Sequence, residues 1–178
     1  MAKIIDVIDM EDPVLGKDRL DYLNSVGAIS QKLIYYGMCN GIAQMVSDIK
    51  RATSPGGLQV LRIWGHGASG GQSVSGGHGG ETARQDHWTG FSINTIQSQE
   101  TILRPLNGRF TANGRVELRG CDVASGTGGE QFILALAKMW NVNIHAGVPD
   151  QYRKWTGDVV QASPSGALTC IVGIEPPP

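Results

Sequence analysis

Two side chains stand out as a pair that can do chemistry. His66 sits between Gly65 and Gly67, directly after the apolar run Val60-Leu61-Arg62-Ile63-Trp64. Cys121 sits between Gly120 and Asp122, directly after Val116-Glu117-Leu118-Arg119. A thiol becomes a strong nucleophile as the thiolate, and a neighbouring imidazole is the usual means of forming one. The pattern therefore assigns Cys121 to attack on a carbonyl carbon and His66 to handling the proton of the leaving amine. The oxyanion that forms needs backbone donors, and the N–H groups of Gly67 and of Cys121 itself are the candidates. The flanking glycines let the backbone approach a substrate closely.

Each of these residues must be held by an element that ends where it stands. Short apolar runs bounded by glycine read as buried strands, and residues at the carboxyl ends of strands are where open α/β sheets place their ligands. Residues 3–9 and 32–36 read as two further strands and residues 142–148 as another. In residues 41–51, Ile42, Met45, Val46 and Ile49 recur at helical spacing. Residues 14–30 read as loop with a helical turn, and residues 93–103 as a helix stopped by Pro105. Thr127-Gly128-Gly129-Glu130 fits a capping box opening a helix to Trp140, with Phe132 and Leu136 in its buried stripe. Asn107-Gly108 and Asn113-Gly114 mark turns. Residues 158–162 and 167–174 read as a C-terminal hairpin about Ser163-Pro164-Ser165-Gly166, followed by a tail at 175–178. The expected fold class is α/β, with a mostly parallel central sheet, helices on both faces and a C-terminal β-hairpin. A chain of 178 residues is expected to form one domain.

The strand ending in Ile63-Trp64-Gly65-His66-Gly67 and the later strand ending in Leu118-Arg119-Gly120-Cys121-Asp122 resemble the caspase–hemoglobinase-fold (clan CD) cysteine peptidases. The sequence is most similar among them to bacterial caspase-like domains such as DUF4347 and to the autoprocessing cysteine protease domains of toxins. The resemblance spans about residues 58–150. It implies a His66–Cys121 dyad, endopeptidase or self-cleaving activity on a peptide or protein substrate, and a pocket for the residue before the cut. That pocket is partly lined by the position two before the cysteine, here Arg119, which by charge would favour an acidic residue. Arg119 can equally point into solvent beside Glu117. Asp150, at the end of a later strand, is a further candidate for substrate contact, set against the plainer reading of a loop aspartate after proline. The basic cluster that binds inositol phosphate in the toxin domains is not identified here, and no cofactor is expected.

Other readings are weaker. A catalytically inactive caspase-like module binding a protein or peptide partner is the alternative from another class. Gly67-Ala68-Ser69-Gly70-Gly71 matches the G-x-S-x-G elbow of serine hydrolases, but that elbow needs a strand directly before the serine and a helix after it. No His or Cys spacing suits zinc, so no metal is expected. Half of residues 65–80 are glycine, which suggests a flexible flap rather than a phosphate loop, since G-x-x-x-x-G-K-[ST] is absent. Cys39 and Cys170 read as small buried hydrophobes, and three widely spaced cysteines favour a reducing compartment over a disulfide framework. With 15 basic against 16 acidic residues and no charged block, composition points to neither nucleic acid nor membrane. The N-terminus lacks the apolar run of a signal peptide, so a cytoplasmic location is expected, with export by another route left open. Oligomeric state is open.

Overall fold

A computed structural model describes residues 2–36, 41–74, 90–151, 155 and 157–172. Its centre is a seven-stranded sheet built from β1 (Lys3–Asp9), β2 (Gln31–Tyr35), β3 (Leu58–Trp64), β7 (Phe110–Leu118), β8 (Asn143–Gly147), β9 (Asp158–Ala162) and β10 (Leu168–Val172). The order across the sheet is β10-β9-β8-β7-β3-β1-β2. Strands β2, β1, β3, β7 and β8 run parallel, and β9 and β10 are antiparallel to their neighbours. The expected mixed α/β class with a C-terminal hairpin is thus the observed one. The order reverses between β1 and β3, so the crevice above their carboxyl ends is the natural ligand position.

Side chains alternate between the two faces of the sheet. On one face Ile5, Val7, Leu61, Ile63, Val116 and Leu118 pack against two helices. These are α2 (Gly41–Ala52), through Met45, Val46 and Ile49, and α4 (Gly126–Trp140), through Phe132, Ile133, Leu136 and Trp140. The opposite face is covered by α1 (Pro13–Ser25), whose Leu23 packs with Ile8 and Trp64. Asp6, Arg62 and Glu117 line that second face in register, and all three are buried. Trp64 Nε1 donates to Asp6 Oδ1 at 2.7 Å, and the Arg62 guanidinium lies between Asp6 (3.5 Å) and Glu117 (3.4 Å). Buried charges of this kind require mutual pairing, because desolvation of an unpaired ion costs several kcal/mol, on the order of the whole stability of a domain.

Several expectations are corrected. Residues 13–25 form a full helix instead of a loop. Asp12 caps it, its Oδ1 accepting from the Val14 and Leu15 N–H groups at 3.0 and 3.1 Å, and Pro13 stands in the first turn, where its missing N–H is no loss. Residues 93–99 are turns, and only α3 (Glu100–Leu103) with a following 3₁₀ turn (Arg104–Leu106) is helical. Helix α4 starts at Gly126 with Ser125 as its cap, and no side chain bonds there, so the expected capping box is absent. Asn113-Gly114 lies inside β7, where the pairing with β3 slips between Leu58↔Phe110 and Val60↔Arg115. The start of the glycine-rich stretch is ordered as β4 (Gly67–Ala68) and β5 (Gly71–Ser73), which form a small antiparallel sheet with β6 (Gly90–Ser92). The rest of that stretch, with His78 and His87, lies outside the described residues, as do Cys39 and the tail. Cys170 is exposed on β10 rather than buried. Among the described residues no helix is long and apolar enough to cross a membrane.

Candidate active site

Strands β3 and β7 are adjacent and parallel, with Ile63 opposite Leu118. The Arg119 N–H donates to the Ile63 carbonyl at 2.8 Å, so the pairing continues past the last strand residue. His66 and Cys121 lie three residues beyond this pair, past the last paired positions of either strand. The chains touch at this point. A Cβ built on Gly67 would lie 2.6 Å from the Cys121 nitrogen and 2.6 Å from the Gly120 carbonyl carbon, and nearer still to the Cys121 oxygen. One built on Gly120 would lie 2.7 Å from the Gly67 Cα and 2.9 Å from its nitrogen. Only glycine at both positions permits this approach. The wholly buried Gln72 of β5 clamps the junction. Its Oε1 accepts from the Gly120 N–H at 3.0 Å, and its Nε2 donates to the carbonyls of His66 (3.3 Å) and Ser73 (3.1 Å).

The reactive side chains each have a partner. His66 Nε2 lies 3.3 Å from Asp12 Oδ2, with the two side chains 57% and 41% exposed. The Asp12 carboxyl is held below its ordinary value, first by the Leu15 N–H it accepts and further by His66, against a smaller opposing effect of burial. The Cys121 thiol donates to the Gln151 carbonyl at 3.4 Å and its sulfur accepts the Gln151 N–H at 3.3 Å. Burial pushes this thiol above its ordinary value; the Gln151 N–H and the charge of Arg19 oppose the rise, while Asp150 and Asp122 add to it. Burial thus favours the protonated form of the Cys121 thiol. Among the described residues no acceptor takes the Cys121 N–H, whereas the next N–H, of Asp122, donates to the Pro149 carbonyl at 3.2 Å. Asp122 holds φ at 56°, a left-handed conformation that aspartate tolerates better than most residues and that turns the chain sharply after the thiol.

A family model described as Domain of unknown function (DUF4347) matches residues 23–152, well over half of the chain. The chain belongs to the DUF4347 family. No curated protein and no solved structure matches it. The part matched to DUF4347 holds His66, Gln72, Cys121, Asp150 and Gln151, and it begins after Asp12 and Arg19.

The remaining candidates fall differently around the DUF4347 site. Arg119 is only 4% exposed, and its Nη2 and Nε donate to Glu117 Oε2 at 2.6 and 3.0 Å. Its guanidinium is stacked 3.9 Å from the Trp155 ring centre and 5.1 Å from that of Trp64. Arg115 Nε also donates to Glu117, at 2.7 Å, and these cations hold the Glu117 carboxyl below its ordinary value despite burial. Arg119 thus points neither into solvent nor into an open pocket; its charge is already matched. Asp150 is exposed just beyond β8, close enough to Cys121 for its charge to act on the thiol. Ser69 follows the two-residue β4, lies in the turn to β5 and donates to the Ser125 carbonyl at 2.5 Å; a strand and not a helix comes next, so the nucleophile elbow is not formed. Among the described residues no cluster of three His, Cys, Asp or Glu side chains is arranged to hold a metal.

Four residues of the site were not anticipated: Asp12, Arg19, Gln72 and Gln151. Asp12 could have been found from the Asp-Pro pair, which signals a helix start. Gln72 acts through its side chain on the backbone of a distant segment and Gln151 through its main chain on the Cys121 sulfur, for neither of which a sequence pattern exists. Arg19 is buried on the inward face of α1, 1% exposed, and among the described residues none of its three side-chain nitrogens has a hydrogen-bond partner.

Proposed function

We propose that this DUF4347 domain is a cysteine peptidase of caspase-like type, with Cys121 as nucleophile and His66 as acid–base group. The supporting observation is the close contact of the Gly67 backbone, next to His66, with the Gly120–Cys121 backbone beyond the carboxyl ends of β3 and β7. In the reaction the Cys121 proton passes to His66 as the sulfur bonds to the substrate carbonyl carbon. The C–N bond then breaks, and the amine leaves with the proton from His66. Water, deprotonated by His66, attacks the thioester; the acid departs and the thiol is restored. The unused Cys121 N–H and the Gly67 N–H beside it serve the oxyanion. Asp12 takes one imidazole nitrogen as partner and leaves the other to exchange the proton. The Cys121 thiol donates to the Gln151 carbonyl at rest, a contact that substrate binding has to loosen.

The test is cleavage of a peptide library and of the chain itself by wild type, Cys121→Ala and His66→Ala. Loss of cleavage in both variants, with a thioester trapped on Cys121, is the expected result. Cleavage that survives Cys121→Ala would refute the assignment. Tight peptide binding without turnover in wild type would return the chain to a non-catalytic binding module.

A further inference from the structure

Helix α1 turns three residues inward, Gly16, Arg19 and Leu23. A buried guanidinium is normally paired, because leaving it without a partner carries the full desolvation penalty. Arg119 obeys this rule and Arg19 does not, although it is equally buried. Side chains on a helix lean toward its N-terminus. The N-terminus of α1 is the end at which Asp12 meets His66. One turn ahead of Arg19 on the inward face is Gly16, where the Met10 side chain and the Asp9 carbonyl fill the space a Cβ would take. That lean directs Arg19 toward the end of the sheet that carries the site, and the Asp9 and Asp12 carboxylates and, when ionised, the Cys121 sulfur are the anions that act on it most. None of them bonds to it. Among the described residues no anion is placed to bond it.

Resting on the peptidase reading, we infer that Arg19 is the specificity-determining residue of the site, receiving a carboxylate carried by the substrate residue that enters beside Cys121. An aspartate or glutamate before the scissile bond is the substrate class this selects. A guanidinium pairs with such a carboxylate through two parallel N–H···O bonds. The pocket role expected for Arg119 passes to Arg19, because Arg119 is neutralised by Glu117.

The test does not need peptidase activity. Cys121 is alkylated at pH 9 with iodoacetate, an anion, and with iodoacetamide, its neutral counterpart, and adducts are read by mass spectrometry. The ratio of the two rates cancels any change in thiol ionisation, and exposed Cys170 is the internal reference. Arg19→Met and Arg19→Gln are compared with wild type, with folding checked by circular dichroism. The expected result is an iodoacetate preference at Cys121 that falls about five-fold or more in both variants, the factor one unit charge at contact gives even under water-like screening. The Cys170 ratio should not move. An unchanged Cys121 ratio in the variants would overturn the inference even if peptides are cut. If the library in turn shows cleavage after lysine or leucine but not aspartate or glutamate, the inference fails while the peptidase reading stands. A collapse of the ratio in a protein that cuts nothing would instead keep the anion site and reject the peptidase.

Discussion

Substituting Gly67 by alanine tests whether the contact between the two strand ends holds the site together. The added methyl would meet only backbone: the Cys121 nitrogen and Gly120 carbonyl carbon at 2.6 Å each, and the Cys121 oxygen. Ordinary non-bonded carbon contact begins near ~3.5 Å, so the strand ends must part by about 0.9 Å. Neither chain is free to yield, since both are tied to Gln72 through the His66 carbonyl and the Gly120 N–H. Overpacking of this kind costs about 1–3 kcal/mol. For a chain of this size that lowers Tm by about 2–12 °C. The separation also moves Cys121 from His66 by nearly the distance at which misplaced groups lose about 100-fold in rate. Differential scanning fluorimetry and peptide cleavage measure the two effects. Gly128→Ala is the control, because a Cβ there meets only the Ser69 hydroxyl, at 3.6 Å, and the residue lies within α4. It should leave activity intact and raise stability by up to about 1 kcal/mol. A Gly67→Ala protein that melts and cuts like wild type would refute the close approach and the pairing of His66 with Cys121 that rests on it.

Three further outcomes are expected. Asp12→Ala should lose about 0.5–2 kcal/mol through the lost helix cap, while Asp12→Asn keeps the cap. Both should lower kcat/KM about 1.5- to 5-fold, the worth of a half-exposed charge pair, so equal melting with reduced activity in Asp12→Asn separates positioning of His66 from capping. Asp9 is a buried carboxyl held above its ordinary value by desolvation, with Ser73 and Glu11 as hydrogen-bond donors. Its protonated form is the one the fold favours, so its stabilising contribution is complete below the unfolded value and lost as pH rises through the folded one. Asp9→Asn should melt like wild type in acid and above it at neutral pH; a gap that widens toward acid would contradict this. The Cys121 thiol, raised by burial, should alkylate slowly at pH 7 and accelerate only above the ordinary thiol value, whereas a fast reaction below pH 7 would show a thiolate already formed at rest.

The sheet was legible because its strands are written in apolar runs that end at glycine. The β3 and β7 runs stop one and two residues before the positions that matter, and this alone pointed to His66 and Cys121. What surrounds them was not legible, for two physical reasons. The Gln72 side chain bonds to main chain 48 residues away and the Gln151 main chain to a sulfur 30 residues away, and neither kind of contact leaves a periodic mark on a sequence. Arg119 was misplaced for the converse reason. Its alternation with Glu117 puts both on one strand face, which fits an exposed pair or a pocket as well as the buried pair observed. Burial is decided by Trp64 and by Trp155, which lies 36 residues further along the chain and closes over the guanidinium.

Helix α1 shows why a failed reading can itself be informative. Helical periodicity is recognised by apolar residues on the inward stripe, and here two of the three inward positions are Gly16 and Arg19. The helix survives on its cap, on Leu23 and on its packing over Ile8 and Trp64. A glycine and an unpaired cation are poor choices for a buried stripe on grounds of stability, and Met or Leu at position 19 would serve the fold better. Departures from local consistency concentrate where function is carried. The element hardest to see from periodicity is thus the one that brings Asp12 to the imidazole and buries the unpartnered Arg19. If that is why the departure persists, Arg19→Met should melt above wild type while losing the preference for an anion at Cys121. A variant that loses both stability and the anion preference would make Arg19 a packing residue instead.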